Sequence, residues 1–193
     1  MKNRFFFSML LVFSSVVLIS AQDAARVNSE KSLTWYGIDY ALAKFTLVVE
    51  DPAIIVNQYM KAINTLTITE TEKYNFKTFF NKSEVSNDLD PVKARNAAID
   101  PANLVIADAH EITLDDVKKE IRDLQTKGEG LGVVFVAENL NKSTQTGSYW
   151  VCFFDKSTHE IVDAKRMIGK AAGIGFRNYW AGSVYNILKT WVK

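Results

Sequence analysis

Asp39, Asp108 and Glu138 each follow a short apolar or β-favouring run, and His110 and Glu111 stand just beyond the second of these acids. If the runs are parallel strands, their carboxyl ends share one edge of a sheet, which is where α/β proteins place ligands. Carboxylates and a histidine gathered there could hold a divalent cation. They could also divide acid and base roles, because mutual repulsion separates their pKa values. The same residues serve equally well to end strands and order turns, with Asp108 and His110 shaping the loop before Thr113. No His-Glu-x-x-His spacing accompanies them, so no metal or other cofactor is implied.

A second candidate is the stretch Gly169-Lys-Ala-Ala-Gly173-Ile-Gly175-Phe-Arg177-Asn. A glycine-bearing loop before a helix can offer backbone N–H groups to an anion, here assisted by Lys170 and Arg177. Its spacing matches neither Gly-x-x-x-x-Gly-Lys-Ser/Thr nor Gly-x-Gly-x-x-Gly. The alternative is that these glycines let a strand turn and bring the last helix close to the sheet. Trp35, Tyr36, Trp150, Tyr179 and Trp180 could line a pocket or simply pack a core. There is no Gly-x-Ser-x-Gly, and His110 and His159 are the only histidines. The lone Cys152 lies in the apolar run Tyr149–Phe154 and reads as a buried thiol without a disulfide partner. Asn81-Lys-Ser83 and Asn141-Lys-Ser143 match glycosylation sequons, which matter only in a eukaryotic secretory pathway.

The elements that must position these residues follow from periodicity. Leu33–Ile38 predicts a strand, and 41–49 is ambiguous between helix and strand. Asp51-Pro52 supplies an N-cap and a first-turn proline, and Ile55, Tyr59, Ala62, Ile63 and Leu66 recur at helical spacing. Between 67 and 103 the pattern decays to a helix around 72–80 and a short helix behind Asp90-Pro91. Asn103–Asp108 suits a buried strand. Thr113 and Asp116 make a capping-box start for a helix with the stripe Leu114, Val117, Ile121 and Leu124, ending by Gly128. Leu131–Ala137 is apolar on both faces, the mark of a central strand. Tyr149–Phe154 and Ile161–Ile168 form an antiparallel hairpin, and Phe176, Trp180, Val184, Ile187 and Trp191 predict a closing helix over 176–191. The order predicts an α/β domain over 32–193, with α+β as the alternative. It would hold a mixed sheet of about five strands with helices packed on it and an amphipathic carboxyl-terminal helix.

Trp-Val-Cys-Phe-Phe-Asp from Trp150, Lys-Ser-Thr-His-Glu-Ile-Val from Lys156 and the block 169–180, with the opening Trp-Tyr-Gly-Ile-Asp-Tyr from Trp35, resemble a group of small secreted bacterial proteins with no assigned activity. These segments span about a fifth of the chain, and the resemblance brings no catalytic residues with it. In element order the chain is also similar to envelope domains of the TolB amino-terminal and curli-secretion lipoprotein type, which implies binding to other envelope proteins. It departs from the lipoprotein members in lacking an anchor cysteine after its apolar start.

That start, Lys2 and Arg4 followed by apolar Phe5–Ile19 and then Ser20-Ala21, reads as a signal peptide over 1–21, with an uncleaved anchor as the alternative. Residues 22–31 read as a mobile arm making few long-range contacts. Loss of Lys2 and Arg4 from the 23 basic residues leaves 21 against 22 acidic ones, a balance that excludes an extended nucleic-acid-binding field. With 193 residues, 48% of them hydrophobic, the chain is ordinary globular material. The leading expectation is a secreted or periplasmic, non-enzymatic binding protein whose partner is an envelope protein or small ligand. It would bind through a sheet edge or the 169–177 loop, without nucleic acid or a membrane span after cleavage. The alternative is a metal-assisted hydrolase or small-ligand binder using Asp39, Asp108, His110 and Glu138.

Overall fold

In a computed structural model, which describes residues 25–191, seven strands form one mixed sheet. Strand β1 (Ser32–Asp39) is followed, after a turn over 40–43, by β2 (Lys44–Thr46), which continues in the same direction. Both pair in parallel with one side of the long central strand β5 (Leu131–Asn141): β1 from Gly132 to Val136, β2 from Asn139 to Asn141. Two short strands repeat this tandem arrangement further out, β3 (Glu84–Asn87) beside β1 and β4 (Val105–Ile106) beside β2. The other side of β5 carries the antiparallel meander β6 (Thr146–Asp155) and β7 (Ile161–Lys170). Seven strands therefore occupy five rows, with parallel pairing on one side of β5 and antiparallel on the other.

Alternation along β5 and β6 divides the core in two. Leu131, Val133, Phe135, Tyr149, Val151 and Phe153 face helix α1 (Pro52–Ile54 continuing through a π-helical stretch Ile55–Tyr59 into Met60–Thr69), the short α2 (Phe76–Phe79) and the last helix. Val134, Val136, Cys152 and Phe154 face the opposite way, with Val92 of α3 (Asp90–Ala97) and Val117 and Ile121 of α4 (Leu114–Asp123). Burial on both faces is why β5 reads as a continuous apolar run. α4 starts at the capping box: Thr113 Oγ1 accepts from Asp116 N, and Asp116 Oδ2 accepts from Thr113 N. Its stripe differs at Leu114, which is exposed.

The closing helix α5 (Gly175–Trp191) buries Trp180, Val184, Ile187 and Leu188, each worth about 1.5–3 kcal/mol if wholly withdrawn from water. It sits close to the sheet because Gly169 of β7 has no side chain. A Cβ there would stand 2.0 Å from the Ser183 carbonyl oxygen.

The arm expected over 22–31 is instead docked in its described part. Val27 is buried, Arg26 pairs with Asp155 at 2.6 Å, and the Lys82 ammonium donates to the carbonyls of Val27 and Glu30. These partners lie 129 and about 50 residues away, so local polarity gave no sign of them. The predicted signal peptide lies outside the described residues. No helix among the described residues is long and apolar enough to cross a membrane.

Candidate functional site

The acidic candidates do not gather at one sheet edge. Because β2 continues the row that β1 begins, Asp39 lies in mid-sheet at the β1–β2 junction, 2% exposed. Its Oδ2 accepts from Arg95 Nε at 2.8 Å and its Oδ1 from Ala41 N at 2.9 Å. Arg95, from α3, also pairs with Glu120 of α4. Burial raises the Asp39 pKa above its ordinary value, against the lowering effect of Arg95.

Glu138 likewise does not end a strand. It occupies the irregularity between Ala137 and Asn139 inside β5, wholly buried. Arg166 of β7 grips it with Nε at 2.8 Å and Nη2 at 2.7 Å from Oε2, while Ile112 N donates to Oε1 at 3.0 Å. Glu111 Oε1 stands 3.4 Å from the same guanidinium. Asp39 and Glu138 thus meet different arginines, Arg95 being shared between Asp39 and Glu120, and both clamps fasten α4 and its lead-in to the sheet. Ion pairs of this kind neutralise buried charge and fix geometry.

Asp108 is exposed in the loop after β4, where its backbone carbonyl accepts from Thr46 Oγ1. His110 is half-buried, with Nε2 3.0 Å from the Leu42 carbonyl oxygen. Among the described residues no three His, Cys, Asp or Glu side chains are placed to hold one metal ion. Cys152 is fully buried, and burial pushes its thiol pKa up. That leaves little thiolate for chemistry.

The glycine stretch opens a different site. Gly173 and Gly175 have φ of +139° and +77°, a region that L side chains rarely adopt. Between them Ile174 projects 91% exposed. Across a cleft of about 330 Å³ stands the loop after β2, where Leu47 and Val49 are 53% and 96% exposed. Leu47 itself holds φ +54°, a strained conformation for a residue with a Cβ. Phe176, Tyr179 and Trp180 also line the cleft, and the Lys142 ammonium sits 3.8 Å from the Tyr179 ring centroid. Lys170 and Arg177 are exposed nearby in sequence, but neither lines this cleft. Arg177 Nε donates to Asn178 Oδ1, and the Lys170 carbonyl accepts from Asn186 Nδ2.

Arg95, Glu120 and Arg166 were not singled out from sequence, and neither were Leu47, Val49, Ile174 and Lys142. The one available signal was the apolar triplet Leu47-Val48-Val49 directly before the polar Glu50-Asp51, too short for the strand or helix that 41–49 suggested. No protein-family model, no curated protein and no solved structure matches this chain.

Proposed function

We propose that this is a secreted or periplasmic, non-enzymatic binding protein that engages another protein of the envelope through the loop end formed by 47–50 and 173–176. The observation that carries the reading is the exposure of Leu47 and Val49 on one wall of the cleft, with Ile174 exposed between Gly173 and Gly175, which line the cleft as well. Large apolar side chains gathered on a surface mark interaction sites, whereas scattered ones do not. The cleft has an aromatic lining, and Lys142 and Glu50 give it a charged rim, matching the apolar centre and polar border of protein interfaces. The resemblance to small secreted bacterial proteins supports the compartment, and the similarity in element order to envelope domains supports the kind of partner.

The test compares wild type with the V49D/I174D double variant in the native cell envelope by size separation under non-denaturing conditions. The wild-type chain should migrate in an assembly of defined size and the folded variant at the size of the free chain. Identical migration of the two would remove the loop end from the binding surface.

A further inference from the structure

A second concave site lies away from the loop end, between α1 and α3. Strand β1 loses its β3 neighbour after Trp35, and there the two helices supply side-chain amides in place of a strand. Asn64 Oδ1 accepts from Ile38 N at 2.7 Å, and its Nδ2 donates to Ile38 O at 2.9 Å. Asn96 Oδ1 accepts from Tyr40 N at 2.7 Å, and its Nδ2 donates to the same Ile38 carbonyl at 2.9 Å. A primary amide carries two N–H bonds, and each of these uses one. Both residues are 5% exposed, and both line a cleft of about 340 Å³.

Three features of the backbone build this cleft. The π-helical stretch Ile55–Tyr59 places Val56 and Asn57 on its wall, and such interruptions recur at functional sites. Gly37, at φ +92°, leaves room for the floor, since a Cβ there would come 2.7 Å from Leu89 Cδ2 and 2.8 Å from Asn64 Oδ1. The β1–β5 register also shifts between Trp35 and Ile38, the kind of irregularity found beside binding sites.

The lining chemistry is one-sided. Val56, Leu89 and Ala97 are apolar, and each helix contributes one lysine, Lys61 and Lys93, neither in an ion pair among the described residues. Asp90 is the single acid of the wall. Two lysines against one carboxylate favour an anion, and the apolar lining favours a hydrocarbon body. The volume lies at the small end of the range for small-molecule sites.

From this arrangement we infer that the α1–α3 cleft binds a small organic anion with an apolar body, a carboxylate or phosphate monoester. The site is independent of the loop end, so the two readings stand or fall separately.

The experiment titrates the protein with octanoate, octyl phosphate and uncharged octanol. It follows thermal stability and the Asn64 and Asn96 side-chain amide resonances. Octanoate or octyl phosphate should give saturable binding that shifts both resonances, and octanol should bind at least tenfold more weakly. Affinity should fall at least tenfold in K61E/K93E. Both lysines are exposed, so that variant should fold, and V49D/I174D should bind as wild type does. The stronger of the two anions assigns the headgroup to a carboxylate or a phosphate source. The inference is overturned if neither anion saturates at millimolar concentration, if octanol binds equally well, or if K61E/K93E retains wild-type affinity.

Discussion

Replacing Arg95 with methionine strips the cation from two carboxylates at once, Asp39 at 2% exposure and Glu120 on α4. Breaking a buried ion pair by removing one partner costs about 3–5 kcal/mol, because the remaining charge has no water to turn to. With a urea slope of about 2 kcal/mol/M, the unfolding midpoint should drop by ~1.5–2.5 M. The pH dependence follows from Asp39. Its pKa is raised in the folded protein by burial, with Arg95 working against the rise. A raised carboxylate contributes stability that is full below its unfolded-state pKa and is lost as pH rises through its folded-state value. Without Arg95 that loss is deeper, so R95M should lie closer to wild type at about pH 5 than at about pH 7. Asp39→Asn keeps an acceptor for Ala41 N and leaves Arg95 paired with Glu120. It should cost only about 1 kcal/mol, and D39N/R95M should recover part of the R95M loss. Urea unfolding of the four proteins at both pH values is the assay. An R95M midpoint within error of wild type at neutral pH would refute the reasoning, as would a deficit that is the same at both pH values.

Gly182→Ala should destabilise by roughly 3 kcal/mol or prevent folding, because its Cβ would stand 2.0 Å from the Ala172 carbonyl oxygen; chemical denaturation reads this directly. Trp180→Ala removes an indole that meets the rings of Phe45, Phe176 and Tyr179, and should cost about 3–5 kcal/mol in the same assay. Cys152 should resist thiol reagents in the native protein and react at once in denaturant, so a fast native reaction would contradict its burial. V49D and I174D should leave stability within about 0.5 kcal/mol of wild type, since both side chains already face solvent.

What was legible in the sequence is what local pattern encodes. The Thr113–Asp116 box, the two-sided apolar run from Leu131 and the stripe through Trp180 and Ile187 all carry their periodicity within a few residues, and each became the expected element. β3 escaped because Glu84-Val-Ser-Asn87 is mostly exposed and is a strand only through its backbone pairing with β1. Asp39 and Glu138 read from sequence as acids at strand ends; their partner arginines lie 56 and 28 residues away, and spacing says nothing about such contacts. Val49 and Ile174 are apolar residues of types more often found inside, so only the folded backbone distinguishes them from core.

Binding of a protein at the loop end is read by placing a photo-activated cross-linking side chain at position 49 or 174 in the native cell. Exposed position 72 on the α1–α2 connection serves as the control. One protein adduct of the same mass should form from positions 49 and 174 and none from 72, and the adduct from 49 should be lost when Ile174→Asp is added. No adduct from either loop, or the same adducts from position 72, would contradict binding at the loop end.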